Sequence, residues 1–149
     1  MRRITPIHIL LLGLATTLAL PLFAADAPQE VRQEMMKGVR DAAKPLGQMM
    51  KGEKDFDAAA AMDSLKVFQH SANNFGDLFP EGSDSGYETE ALESIWSDRA
   101  GFDAKLADFG AAVDAAIAAN PQDLNGLRKA AGPVFKQCKA CHEGYRADN

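Results

Sequence analysis

The chain has 149 residues, of which 46% are hydrophobic, and its 16 basic and 21 acidic residues give a formal net charge of −5. A chain of this length builds one domain around one core. The acidic surplus argues against binding to nucleic acid or to anionic lipid through bulk electrostatics, although it could steer the protein towards a basic partner.

The first 24 residues have the features of a secretory signal peptide. Two arginines precede an apolar run over positions 7–20, which is too short to span a bilayer comfortably, and small residues follow. An uncleaved membrane anchor is the alternative. Cleavage after Ala24 would remove both arginines and leave residues 25–149 as a single domain with 14 basic and 21 acidic residues, a net charge of −7. We therefore expect an exported, periplasmic protein with no membrane association after cleavage.

The rest of the chain shows helical periodicity almost throughout and no convincing strand alternation. Four amphipathic segments are predicted in chain order: segment A over 29–50, segment B over 56–75, segment C over 90–119 and segment D over 122–147. Two connections are short, and a longer loop rich in Pro, Gly and Ser occupies 79–86. This pattern predicts an all-α protein, an antiparallel four-helix bundle.

Several residues mark where these helices should begin, bend or end. Asp55 is the expected N-cap of segment B. Asn120 precedes a proline and therefore ends segment C. Proline inside a helix removes a backbone hydrogen bond, so Pro45 predicts a kink in segment A and Pro133 a bend or interruption in segment D.

Both cysteines lie in one short motif, "CKACH", near the C-terminus. The two thiols, Cys138 and Cys141, have the spacing that adds to the two vinyl groups of a haem, and the adjacent imidazole of His142 can bind the iron. On a helix Cys138 and His142 share a face, with Cys141 beside them. The motif predicts one covalently attached haem c per chain, with His142 as an iron ligand.

Three other interpretations of the motif are weaker. A disulfide between the cysteines suits an oxidising compartment but leaves His142 without a role. A thioredoxin-like redox pair needs a strand-to-helix junction, which the sequence does not offer. A zinc site needs four ligands, and the other histidine of the mature chain, His70, is predicted to point away from the apolar face of segment B.

A C-terminal CxxCH on the last helix of a four-helix bundle resembles the cytochrome c prime (cytochrome c') family of class II c-type cytochromes. "VFKQCKACHEGYR" is similar to the closing pattern of that family, in which an arginine, here Arg146, follows the haem histidine by four residues. "VRQEMM" is similar to the opening pattern, in which an arginine, here Arg32, precedes by four the residue that covers the other face of the haem, here Met36. "KGEKDFD", "LFP" and "IWSDRAGF" resemble stretches of the low-spin, methionine-ligated branch.

The resemblance implies a haem held inside the bundle between His142 and segment A. Five-coordinate members have a bulky apolar residue at the position of Met36, whereas a thioether there can bind iron, and His/Met ligation favours low spin. Met36 could also be a packing residue, since methionine is a common core filler, with Met35 as the reserve ligand. Arg32 and Arg146 are expected to contact the haem propionates, or in the case of Arg146 to tune His142; both could equally be surface residues.

Two functions follow from these expectations. The first is a periplasmic electron carrier that exchanges electrons with redox partner proteins. The alternative is a five-coordinate cytochrome that binds nitric oxide or carbon monoxide, with Met36 as a distal gate. No enzymatic activity is expected, because segment A offers no distal histidine or acid pair for general acid–base chemistry. A homodimer formed through segments A and B is common in the resembling family and compatible with this sequence.

Overall fold

A computed structural model describes residues 26–147 of the chain, so the expected signal peptide lies outside the described residues. The elements are α1 (Pro28–Lys51), α2 (Ala58–Asn74), a 3-10 turn (Phe75–Leu78), the single-turn α3 (Ser94–Ser97), α4 (Arg99–Ala119) and α5 (Leu124–Tyr145). The most extensive packing joins α4 to α5, α1 to α2 and α2 to α4. The predicted all-α four-helix bundle is confirmed, and no helix between residues 26 and 147 is long and apolar enough to cross a membrane.

The turn between α1 and α2 sets the start of α2. Gly52 adopts φ 78° and ends α1 in the left-handed conformation that glycine adopts readily, while its N–H bonds back to α1 carbonyls. The N-cap of α2 is Asp57, whose side chain accepts from the N–H of Ala60 at 3.0 Å. The prediction that Asp55 caps this helix was therefore wrong by two residues. Asp57 has the extended backbone of an N-cap, and its N–H lies 3.3 Å from the sulfur of Met49.

Segment C was predicted as one helix from residue 90, and this was wrong at its start. The helix breaks at Asp98, whose backbone leaves the helical region (φ −122°, ψ 54°) and whose side chain caps α4 by accepting from Gly101 N–H at 3.2 Å. The preceding residues bond instead to the end of α5. Leu92 N–H donates to Tyr145 O at 3.1 Å, and Ala147 N–H donates to the carbonyl of residue 90 at 2.8 Å. The backbone of residues 90 and 92 is therefore hydrogen-bonded to the end of α5 and to Ala147, which follows it.

Both helices that contain an interior proline run through it. Pro45 lies within α1 and Pro133 within α5, and neither interrupts its helix, so the interruption considered for segment D does not occur. Each proline lacks the N–H that would bond one turn back. Packing on the bundle core, which includes Leu46 beside one proline and Val134 beside the other, maintains the helices there.

The buried side chains form two separate clusters. The first, the bundle core, joins all four long helices and consists of Leu46, Met49, Ala61, Leu65, Phe68, Phe109, Val113, Ala116, Leu127, Ala131 and Val134. The second, called here the site cluster, consists of Phe75, Phe79, Ile95 and Phe102. Burial of each large apolar side chain stabilises the fold by about 1.5–3 kcal/mol.

Candidate haem-binding site

The CKACH motif lies in the last turns of α5 and connects the two clusters. Cys138 packs against the bundle core, and Cys141 packs against the site cluster. Both thiols are half-buried and not joined to each other, and Cys138 Sγ donates to the carbonyl of Val134 at 3.5 Å. α5 therefore presents two thiols, three residues apart, to the interior.

The surroundings of the motif favour its neutral forms. Burial raises the pKa of the Cys138 thiol, opposed by a backbone hydrogen bond, and raises the pKa of Cys141, where Lys105 opposes the effect. Burial and the positive charge of Arg146 lower the pKa of His142. The imidazole is consequently neutral at neutral pH, which is the form that binds a metal ion. Two thiols that can add to the vinyl groups of a haem, and a neutral imidazole that can bind its iron, have the spacing that fits haem c.

α1 brings the predicted distal residue to the same place. Met35 and Met36 are half-buried, and both pack against the site cluster that Cys141 also contacts. A residue of α1 and a residue of the attachment motif, 105 positions apart in sequence, thus share one apolar environment. Whether the thioether of Met36 binds iron stays a prediction.

Arg32 lies one helical turn before Met36 and is buried, with 4% of its surface exposed. Its guanidinium donates to Leu78 O at 3.1 Å, to Ser83 Oγ at 3.0 Å and to Ser83 O at 2.8 Å. Its central carbon lies 4.5 Å from the ring centroid of Phe79 and 5.8 Å from that of Trp96. Desolvation by this burial lowers the pKa of Arg32. The alternative that Arg32 is a surface residue is therefore wrong, and contact with a propionate stays a prediction.

Arg146 is placed differently, at the C-terminal end of α5, and its side chain is about half exposed. Its Nε lies 3.7 Å from a carboxylate oxygen of Glu90, and its N–H donates to His142 O at 3.2 Å. It also forms the isolated β-bridge with Ala91. The backbone of Arg146 thus contacts the haem-motif histidine directly, while the predicted propionate contact of its side chain stays a prediction.

Several residues that hold the site in place were not identified from sequence. Tyr145 donates its hydroxyl to Asp98 at 3.0 Å, and Ser94 Oγ donates to the carbonyl of Gly144 at 2.8 Å. Together with the backbone bonds of residues 90–92, these contacts tie the end of α5 to the start of α4. Their partners lie about 50 residues apart, so no local pattern could have revealed them.

His70 lies outside this arrangement. It is exposed on α2, where its Nδ1 lies 3.3 Å from the side-chain nitrogen of Asn74, as expected for a solvated residue. The structure therefore does not bring His70 to Cys138, Cys141 and His142 as a fourth ligand would require.

Comparison with known proteins places the whole arrangement in one family. The family model described as Cytochrome C' matches residues 27–146. The chain is 37% identical to cytochrome c' of Rhodopseudomonas palustris, with 78% of this chain and 79% of the relative covered. It is 36% identical to cytochrome c-556 of the same organism, over 89% of this chain and 93% of the relative. The solved structure of cytochrome c' from Rhodopseudomonas palustris superposes with a TM-score of 0.80 at 34% identity, covering 84% of this chain and 99% of that one.

These similarities extend over nearly all of the described residues and confirm both the predicted resemblance and the predicted covalent haem c. Relatives named cytochrome c' and relatives named cytochrome c-556 both match. The chain belongs to the cytochrome c' family.

Proposed function

We propose that this protein is a periplasmic, monohaem electron-transfer cytochrome whose haem iron is bound by His142 and Met36, with the haem attached through Cys138 and Cys141. Bound haem would supply the one-electron redox chemistry. The observation that carries the proposal is the shared environment of Met36 and Cys141 in the site cluster. α1 places a thioether against the same apolar cluster that Cys141, one of the two proposed attachment thiols of α5, contacts.

The site cluster would shield the cofactor and restrain its ligands. The rings of Phe75 and Phe79 lie 5.0 Å apart, those of Phe79 and Phe102 lie 4.9 Å apart, and Tyr145 continues the series at 5.4 Å from Phe102. Edge-to-face packing of this kind is directional and stiff. A dry, rigid environment favours electron transfer, because little of the protein has to rearrange when the charge of the site changes.

The two arginines have separate roles in this proposal. The contacts of Arg32 within the described chain are carbonyls, a hydroxyl and ring faces, so its buried charge is not balanced by a carboxylate there. A haem propionate would supply that carboxylate, and a guanidinium can bind it with donors that a lysine lacks. Arg146 would act on His142, whose carbonyl accepts its N–H, and would contact a propionate from the rim of the site.

The second candidate is a five-coordinate cytochrome that binds nitric oxide or carbon monoxide, with Met36 as a distal gate. The observation that favours it is that Met35 packs on the same cluster as Met36. Packing against apolar neighbours is sufficient to explain a methionine at either position.

The electronic spectrum of the reduced protein distinguishes the two candidates. Met36 ligation gives sharp, split visible bands and slow or absent uptake of carbon monoxide. Met36→Leu should convert these to broad high-spin bands with ready uptake, while the matched variant Met35→Leu should leave the spectrum unchanged. High-spin bands in the unaltered protein, or no spectral effect of Met36→Leu, would show that Met36 is not a ligand.

The location and partners belong to the same proposal. The N-terminal segment of residues 1–24 would direct export and be removed, which places the mature protein in the periplasm. Its partners would be redox proteins rather than nucleic acid or membrane, and diatomic gases would be ligands only if the second candidate holds. We expect no enzymatic turnover. Sedimentation of the purified holoprotein will establish whether it forms a homodimer.

A further inference from the structure

Charge is distributed very unevenly along the fold. Residues 26–123 carry nine basic and nineteen acidic residues, a net charge of −10, whereas residues 124–147 carry five basic residues and one acidic residue, a net charge of +4. The second range is α5 with its C-terminal extension. The helix that carries the haem motif is therefore the basic element of an acidic protein.

The basic residues of α5 lie on one side of the helix. At about 100° per residue, Arg128, Lys129, Lys136 and Lys139 fall within an arc of roughly 100°. All four are exposed, and we call them the basic stripe. The buried residues Leu127, Ala131 and Val134 occupy the opposite side, facing the bundle core.

The basic stripe runs beside the iron-binding histidine. Lys139 lies between the two cysteines of the motif, and His142 follows it by only about 60° around the helix. His142 is half-buried, so it sits at the boundary between the interior and the stripe. The basic stripe therefore borders the residue that would bind the iron in the proposed function.

Nearby acidic groups reduce the charge of the stripe without cancelling it. Glu143 forms an ion pair with Lys139 at 3.5 Å, and both side chains stay largely exposed. Arg146 continues the positive charge at the helix end, where the carboxylate of Glu90 faces it at 3.7 Å. Lys105 of α4 adds positive charge near Cys141. Exposed ion pairs are weak and exchange readily with other partners.

We propose that the basic stripe is the docking surface for an acidic patch on a redox partner protein. This inference rests on the proposed electron-transfer function, and it inverts the expectation from the whole chain, whose negative net charge alone would favour a basic partner. Salt screens the attraction between charges on two proteins over about 8–10 Å. Within the encounter complex, the charges of the basic stripe therefore decide how a partner is oriented. The acidic remainder of the surface repels the same partner and so disfavours docking elsewhere.

Oxidation of the reduced holoprotein by small charged oxidants tests the local field. The anion hexacyanoferrate(III) should react fastest at low salt and slow by roughly 3- to 10-fold between 0.01 M and 0.1 M salt, as expected when attraction is screened. A cationic cobalt(III) tris-phenanthroline should show a weaker or opposite dependence. If the net charge of the whole protein governed the reaction, the anion would instead react faster as salt is added, and that sign would overturn the proposal. The test needs only a redox-active haem, so its outcome is independent of the biological role.

Charge reversal on the stripe has a matched control on α2. Lys136→Glu should slow the reaction with the anion about 3-fold at low salt, and Lys136→Glu with Lys139→Glu about 10-fold. Lys66→Glu changes the net charge by the same amount on an exposed lysine that pairs with Asp63, and it should have little effect. Equal effects of Lys136→Glu and Lys66→Glu would contradict a local stripe. The haem content of each variant is checked by mass.

Binding of model polymers to the holoprotein identifies the class of partner. Poly-L-glutamate should shift the amide signals of the exposed face of α5 in NMR spectra, and Lys136→Glu should weaken these shifts. Vesicles of phosphatidylglycerol and phosphatidylcholine should not bind at physiological salt, because an extended anionic surface also meets the acidic residues that surround the stripe. Shifts confined to α2 or α4, or stable binding to the vesicles, would show that the stripe does not serve an acidic protein. If poly-L-glutamate binds the stripe but the holoprotein transfers no electrons to any protein, the result would count against the proposed function and not against the stripe.

Discussion

Replacement of Arg32 by methionine offers a sharp test of how α1 is held over the site. Arg32→Met keeps the apolar stem of the side chain but removes its charge and its three hydrogen bonds to Leu78 and Ser83. It also removes a cation from the faces of Phe79 and Trp96. The loop that begins after the 3-10 turn would lose its principal side-chain anchor to α1.

The contacts set the size of the expected effect. Each net hydrogen bond contributes about 1 kcal/mol, and a partly desolvated cation over a ring about 0.5–1 kcal/mol. Returning the guanidinium to water in the unfolded state offsets part of this sum, because burial of a cation is costly. We therefore expect Arg32→Met to lower the free energy of unfolding by roughly 2–4 kcal/mol, equivalent to a fall in Tm of about 10 °C for a domain of this size.

Urea unfolding of the holoprotein, followed by far-UV circular dichroism, measures the difference. Arg40→Met is the matched control, since Arg40 is an arginine of the same helix whose exposed side chain forms an ion pair with its neighbour Asp41. Surface changes of this kind stay within about 0.5 kcal/mol. Ser83→Ala should cost about 1 kcal/mol in the native background and much less in Arg32→Met, because the two residues share a bond. An Arg32→Met variant as stable as Arg40→Met would refute the assignment of a structural role to the buried guanidinium.

Three further outcomes are expected. A Cβ on Gly101 would lie 2.5 Å from the hydroxyl oxygen of Tyr145, so Gly101→Ala should disturb the cap of α4 and lower the free energy of unfolding by about 1 kcal/mol. Gly38 has open space around it, so Gly38→Ala should raise the free energy of unfolding by about 0.5–1 kcal/mol in the same assay. Burial and its hydrogen bond to Asp98 raise the pKa of Tyr145. As the pH rises, the tyrosine therefore loses its proton first in the unfolded chain, so the free energy of unfolding should decline above about pH 10. Unfolding measured as a function of pH should show a less steep decline in Asp98→Asn. Mass spectrometry should find a mature chain that begins at Ala25 and carries one haem, and a chain with no added haem would contradict the assignment of the motif.

Periodicity predicted the four long helices because each buries one continuous apolar face. The repeats that place Leu46 and Met49 in the core of α1, or Leu127 and Val134 in the core of α5, are local in sequence and follow the helical period. Such a pattern does not require knowledge of the partner helix. The bundle could therefore be predicted from the sequence, and its helix ends only to within a few residues.

The ends depend on competition between equivalent residues. Asp55 and Asp57 can both cap a helix, and the sequence does not show which backbone will be extended. Asp98 was hidden inside an apparently continuous segment, because its interruption is stabilised by Tyr145 from the other end of the domain. A contact of this separation has no local signature.

For the site, as for the fold, local motifs were predictable from the sequence and distant contacts were not. The chemistry of CKACH predicts the attachment residues Cys138 and Cys141, and the opening motif indicates Met36 and Arg32 by resemblance. The hydrogen bonds between Arg32 and Ser83 of the loop were not predictable, because Ser83 lies 51 residues away in a segment without periodicity. Arginine is usually exposed, and the ring faces, carbonyls and hydroxyl that surround Arg32 are contacts that the sequence does not show.

Because the two apolar clusters are separate, substitutions in one cluster should affect the protein differently from substitutions in the other. Cys138 packs against the bundle core and Cys141 against the site cluster, so α5 is in contact with both clusters. Substitutions within the bundle core, such as at Leu127, should alter global stability and leave the environment of Met36 intact. Substitutions in the site cluster, such as at Phe79, should alter the distal side while the bundle persists. Effects at sites without shared partners add, and one fold can therefore accommodate different distal chemistries without redesign of its core.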